Sequence, residues 1–288
     1  MGRSRRGGRS RYMGVVACAL CTAMLLGLVR GRANRAVGLG SGHPASVAYQ
    51  PTPGEQSFLD QLQRDTFRFF WEATPAATGL TPDRTPGDVS SVAAVGFALT
   101  SYLVGVERGY VTRSEAAART LTTLQTLWQA PQGPEAEGTA GYNGLFYHFL
   151  DGRDGARAWR SELSTIDTAL LMAGVLSAQV YFDREDDTER SIRLLADRLY
   201  RRVDWPWASS PRRAPLLSMG WTPEQGFLAD DWSGYNEGML LYVLALGSPT
   251  HPVGAMVPSS AASPLPAAPR AQYPRNGLGA DVDWAADR

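Results

Sequence analysis

Two adjoining stretches decide how this chain folds: STIDTALLMAGVLSAQVYF, residues 164–182, and DTERSIRLLADRLYRRV, residues 187–203. The first is apolar on nearly every side after Thr168, which suits a helix buried all round. The second is amphipathic, with apolar residues at helical period and charge between them. The same alternation runs along the chain. SFLDQLQRDTFRFFWEA (57–73) has Ser57 as its expected N-cap, with Phe58, Leu59, Leu62, Phe69 and Phe70 at helical spacing. VSSVAAVGFALTSYLVGVERG (89–109) is apolar all round and stops at Gly109. TRSEAAARTLTTLQTLWQA (112–130) is amphipathic behind Thr112 or Ser114, and NEGMLLYVLALG (236–247) is apolar again. About six helices precede Val253. An inner ring of helices shielded by an outer ring gives this pattern; a simple bundle would carry one apolar stripe on every helix. The expected fold class is therefore all-α, an (α/α)6 toroid of which this chain holds about the first half. The inner helix ends and the long aromatic-rich loops on one face would line a funnel, and LFYHF (145–149) is strand-like within one of those loops.

The bulk properties exclude several functions. The 28 basic and 28 acidic residues balance, and every basic residue is Arg. No global field would draw the chain to nucleic acid or anionic lipid. The two cysteines, Cys18 and Cys21, sit in an N-terminal apolar run, so neither a disulfide framework nor a thiolate metal site is expected in the folded part. The scattered positions of His43, His148 and His251 argue against a multi-histidine metal site. No phosphate loop or dinucleotide fingerprint is present.

The ends read differently from the middle. A basic segment followed by YMGVVACALCTAMLLGLV (12–29) has the architecture of a signal peptide or short membrane anchor over residues 1–35. The expected location is outside the cytoplasm, periplasmic or envelope-associated, with membrane contact only through an uncleaved N-terminal segment. Residues 36–54 read as a linker. Residues 253–288 are Pro/Ala-rich without period and read as disordered.

Between these ends, acids stand where apolar helices begin. Ser164-Thr165-Ile166-Asp167 fits a capping box, with Asp167 reaching back to the Ser164 backbone. Glu162, just outside that helix, has no such role, and both side chains could converge on a cavity at the helix end. Asn236 is a good N-cap, and Glu237 in the first turn would favour the helix dipole. Two carboxylates at the ends of buried helices among Trp-rich loops are the set that glycoside hydrolysis needs. Asp83 and Arg84 read as a loop ion pair or a site element, His148 as a hydrogen-bonded aromatic neighbour, and Asp230 and Asp231 as solvated loop acids.

FLDQLQRDTFRFFWE (58–72), GLTPDR (79–84), the run from Ser90 to Leu124, GLFYHFLD (144–151), SELSTIDTALLMAG (161–174) and GYNEGMLLYVLALGSPTHP (234–252) together resemble the bacterial glucoamylase-like domain of endo-β-1,2-glucanases and cyclic β-1,2-glucan synthases. The resemblance covers about residues 55–252. It implies the (α/α)6 toroid, a β-1,2-glucan substrate, and acid/base chemistry with no metal or organic cofactor. By motif it assigns Glu237 as general acid, and Asp167 and Glu162 as the other cleft acids, with Asp167 the base. Asp83, Arg84 and His148 would contact sugar, with Tyr235, Asn236 and Trp221 as further contacts. The family continues after LALGSPTHP with helices that complete the ring, whereas here the Pro/Ala tail follows. That departure reads as a truncation or frameshift near Val253 and leaves an apolar flank open to water. At about 25 cal/mol per Å2, a few hundred exposed Å2 cost several kcal/mol, comparable with a whole domain's stability. The rival expectations are a non-catalytic carbohydrate-binding remnant and a membrane-anchored helical scaffold without a sugar site.

Overall fold

A computed structural model describes residues 49–254. The N-terminal segment read as a targeting signal, most of the segment read as linker, the tail beyond Gly254, and Cys18, Cys21 and His43 lie outside the described residues. Six helices are described: α1 Pro53–Glu72, α2 Val92–Glu107, α3 Arg113–Gln129, α4 Thr165–Tyr181, α5 Asp187–Arg202 and α6 Gly238–Leu246. Helix α1 begins five residues earlier than the Ser57 cap predicts, inside the segment read as linker. Thr52 caps it through a reciprocal box in which the Thr52 hydroxyl accepts from the Glu55 N–H and the Glu55 carboxylate accepts from the Thr52 N–H. Pro53 follows at the first helical position, where its missing N–H costs nothing. Thr112 and Glu115 form the same box at α3.

The helices stack in two rows. Helices α2 and α4 are buried around most of their circumference, while α1, α3 and α5 each present one buried face. In the inner row α2 packs on α4 and α4 on α6; in the outer row α3 packs on α5. Turns of a few residues join α2 to α3 and α4 to α5, so each pair runs antiparallel. The long connections therefore all return to the face where the inner helices start. Arg113 at the start of α3 holds the buried Glu189 of α5 with two bonds of 2.7 and 2.8 Å, locking the outer row.

The long connections carry short antiparallel strands, two of which take up Leu145–Phe146 and Phe149 of the strand-like stretch LFYHF, while the others are not announced by the patterning. Strand β1 (Val89–Ser91) pairs with β4 (Phe149–Asp151), and β2 (Gly141–Tyr142) pairs with β3 (Leu145–Phe146) through a turn in which Asn143 and Gly144 both have positive φ. Strands β5 (Leu163–Ser164), β6 (Gly220–Thr222) and β7 (Gly226–Phe227) form the third sheet. Strand β1 runs directly into α2 and β5 directly into α4. One residue ties those two entries together: the His148 carbonyl accepts from the Val92 N–H at 3.2 Å, and the His148 N–H donates to the Glu162 carbonyl at 2.9 Å.

The inner row is held by a glycine contact. A Cβ on Gly96 would lie 2.4 Å from the Leu170 carbonyl oxygen, and one on Gly174 would lie 2.2 Å from the Gly96 carbonyl oxygen. Backbone meets backbone there, so neither position has room for a methyl group. On the far side of the row, Met239, Val243 and Leu246 of α6 share one exposed face, each about half exposed or more. No helix among the described residues is long and apolar enough to cross a membrane.

An isolated helix would gain about 1 kcal/mol when a mid-helix Gly becomes Ala. Here Gly174→Ala should instead destabilise by about 2 kcal/mol or more, the cost of overpacking against backbone. Urea unfolding checks this by the sign of the midpoint shift; a rise would show that α2 and α4 do not touch at this point.

Candidate active site

His148 stands between two acids at the start of α4. Its Nδ1 lies 2.9 Å from Glu162 Oε1, and its Nε2 lies 3.7 Å from Asp167 Oδ1. Strand β4 fixes one side of the imidazole, with the Phe149 ring stacked on it at 3.9 Å. Strand β5 fixes the other, carrying Glu162 into the site just before α4 begins. The Ser164 hydroxyl accepts from the Asp167 N–H at 3.2 Å and donates to Asp167 Oδ2. Half of the expected capping box is thus present, but the acid engages the Ser164 hydroxyl instead of its backbone N–H. Gly220 on β6 makes room for Glu162: a Cβ there would lie 2.6 Å from the Leu163 carbonyl and 3.1 Å from Glu162 Cγ.

The electrostatics split the two acids. Burial favours neutral Asp167 and raises its pKa, and the Glu162 charge adds to this, against the opposing pull of His148 and the Ser164 hydroxyl. Burial also acts on Glu162. There the His148 hydrogen bond, the residue's own N–H and the charges of His148 and Arg157 prevail, and the carboxyl falls below its ordinary range. His148 pays for its own burial, yet Glu162, Asp167 and Asp83 together lift it above the ordinary imidazole value. Its pairing stabilises the fold fully below that ordinary value and fades as pH rises through the raised one. The Glu162 contribution is present above the ordinary carboxylate range and fades as pH falls through its lowered value.

His148, Glu162 and Asp167 each offer a ligand atom within 4.8 Å of the others, so the set has a metal site's donor types. The imidazole already occupies the space between the acids, with one nitrogen toward each.

The other candidates fall into two groups. Asp83 is exposed but held near His148 by its N–H bond to the Val89 carbonyl at 2.9 Å, and its charge reaches the imidazole. Among the described residues Arg84 is exposed and forms no ion pair with Asp83, which corrects that reading. Trp221 lies on β6, packed with Tyr142, Trp207 and Phe227 into an aromatic cluster beside β5. Glu237 precedes α6, exposed, and its side chain has no hydrogen bond or ion pair among the described residues. The cap there comes from Asn236, whose Oδ1 accepts from the Gly238 N–H at 2.9 Å, and Tyr235 is 93% exposed. The structure brings Glu162, Asp167 and His148 together, and it does not bring Glu237, Tyr235 or Asn236 into contact with them.

Two corrections concern charges away from the imidazole. Asp231 is buried, not solvated: its carboxylate faces Arg212 at 3.5 Å and Arg213 at 3.8 Å because a bridge to Ser218 draws the segment inward. Arg157, which no motif singled out, is buried with a bidentate pair to Glu224 at 2.8 and 3.1 Å and a 2.7 Å bond to the Ser161 carbonyl. It clamps the loop that delivers Glu162.

Known proteins resemble this chain in sequence and in fold. The chain is 31% identical over 214 residues to an exo β-1,2-glucooligosaccharide sophorohydrolase (non-reducing end) of Parabacteroides distasonis, spanning 72% of this chain and 28% of that enzyme. Its fold matches the crystal structure of a β-1,2-glucanase from P. distasonis with TM-score 0.62 and 31% identity, over 70% of this chain and 29% of that one. It also matches a candidate glucoamylase from Bacteroides uniformis with TM-score 0.61 and 27% identity, over 71% and 48% of the two chains. No family model matches the chain. The resemblance to the glucoamylase-like domain carried by the motifs is thus met in both sequence and fold, over less than half of each relative's length.

Replacing Glu162 by Gln removes the largest support for the His148 charge and leaves its burial in place. The His148 pKa should fall in Glu162→Gln, followed by NMR titration in a chain with only three histidines. An unchanged value would mean that the pair does not form.

Proposed function

We propose that this chain acts on β-1,2-linked glucan by carboxylate acid/base hydrolysis, at a cleft on the face where the inner helices start. The observation that carries the reading is the Glu162–His148–Asp167 group, set at the entry of a buried helix in a chain similar to β-1,2-glucan hydrolases. Paired acids whose environments push their acidities apart are the usual basis for dividing roles. Glu162 stays ionised and fixes the imidazolium. Asp167, with its raised pKa, is a stronger base than an ordinary aspartate. Its Oδ2 is taken by Ser164, which leaves Oδ1 for a water or sugar hydroxyl beside His148. Glu237 keeps the general-acid role that its motif assigns, supported by its place at the start of α6, the inner helix packed on α4. Asp83, Arg84, Trp221, Tyr235 and Asn236 are the proposed sugar contacts, and Trp221 offers a face from its cluster. The balanced charge and the donor set give no part to nucleic acid or an organic cofactor in this reading.

The two-row packing supports a segment of an (α/α)6 toroid, spanning residues 55–252 between an exported N-terminus and the Pro/Ala tail. Export to the periplasm or cell envelope follows from the N-terminal pattern alone. A second reading, glucan binding without hydrolysis, is favoured by one observation: Glu237 stands outside the compact group of three.

Reducing-end release from β-1,2-glucan decides between them. Asp167→Asn and Glu237→Gln should each lower turnover by about 10^2-fold or more, with glucan still bound. Near-normal turnover in Glu237→Gln would overturn its assignment as acid. Binding by the unaltered chain without any release would favour the second reading, and no binding of any glucan would leave a helical scaffold.

A further inference from the structure

Trp159 is the one described Trp held with a left-handed backbone, at φ +55°, and it is 64% exposed. Bulky side chains rarely adopt that conformation, and it persists only where the surroundings over-determine it. They do so here. Trp159 is the second residue of a turn closed by the Ser161 N–H donating to the Ala158 carbonyl at 3.3 Å. Both ends of the turn are tied to one acceptor, the Phe149 carbonyl, by the Ala158 N–H at 2.9 Å and the Ser161 hydroxyl at 3.2 Å. Arg157 then grips the Ser161 carbonyl from inside. These bonds fix the backbone from which the indole projects, yet among the described residues its only aromatic contact is an edge-on one with Phe149 at 5.1 Å. Most of the ring is left open. Phe149 in turn stacks on His148, so the indole is one aromatic ring removed from the imidazole between the two acids.

A mostly uncovered indole on a strained, firmly held backbone beside a sugar site is suited to stack on the apolar face of a pyranose. Tryptophan gives a large rigid contact area at little entropic cost, and its ring is the kind of anchor that dominates binding. We propose that Trp159 is a stacking platform for a glucose unit of the glucan chain, one subsite beyond the residues that contact the scissile bond. This rests on the glucan reading of the Glu162–His148–Asp167 cleft. The platform acts on affinity and on preferred chain length, and it takes no part in proton transfer. Glycine at this position would relieve the backbone and abolish the platform, so the strain is retained at the expense of stability for the sake of the ring.

The test is calorimetric titration of the full 288-residue chain with β-1,2-glucooligosaccharides of increasing length, with thermal midpoints measured on every variant. Affinity should rise with length in the unaltered chain. Trp159→Ala should bind the longer oligosaccharides roughly five- to ten-fold more weakly and sophorose unchanged, while Trp159→Phe restores most of the loss. Trp159→Gly should bind like Trp159→Ala without a lower thermal midpoint. Equal binding by Trp159→Ala and the unaltered chain at every length overturns the platform and leaves the glucan reading standing. So does a loss that is the same for sophorose as for longer chains and comes with a lowered midpoint. An unaltered chain that binds no β-1,2-glucan overturns both.

Discussion

Two glycines, Gly96 and Gly174, let α2 and α4 approach until the backbone of one touches the backbone of the other. The rest of the structure depends on that contact. Helices this close have no side-chain layer between them, so their relative rotation and height are fixed by backbone geometry. Their starts are then fixed as well, along with the strands β1 and β5 that lead into them. The acids of the candidate site are placed by those strands, so a contact buried in the middle of the inner row sets the geometry at its end.

His148 converts that placement into chemistry. Its backbone joins the two helix entries, and its side chain lies between the two acids. Two carboxylates at one buried helix start would repel each other, and the helix dipole relieves only part of that repulsion. A positive imidazole between them compensates the charge, but unequally: the direct hydrogen bond goes to Glu162, while Asp167 is 3.7 Å away and more deeply buried. The direct bond keeps Glu162 ionised, while burial raises the pKa of Asp167 against the weaker pull of His148, a difference that neither residue would show in isolation.

The helices were legible in the sequence because burial on all sides and burial on one side write different patterns. The alternation of 89–109 with 112–130, and of 164–182 with 187–203, survives intact as inner and outer rows. The Glu162–Asp167 convergence was also readable, since Glu162 has no capping role to occupy it. Other parts were hidden. The start of α1 is hidden because Thr52 lies in a Gly/Pro-rich stretch, which masks its Thr-x-x-Glu box. Apart from those on LFYHF, the two- and three-residue strands are too short to show a period, and the burial of Asp231 depends on a bridge to Ser218 that no local pattern reveals. Arg157 carries no motif, because its partners Glu224 and Ser161 come together only in the fold. Glu237 shows the opposite case, a strong motif whose side chain stands apart from the group it was expected to join.

The central claim is that the site splits the two acidities, burial raising the pKa of Asp167 while His148, held between the two helix entries, keeps Glu162 low. Carbon-detected NMR titration of the two side-chain carboxyls tests it directly. The account predicts that Glu162 titrates below the ordinary glutamate range and Asp167 above the ordinary aspartate range. Two carboxyls titrating together at ordinary values would contradict it.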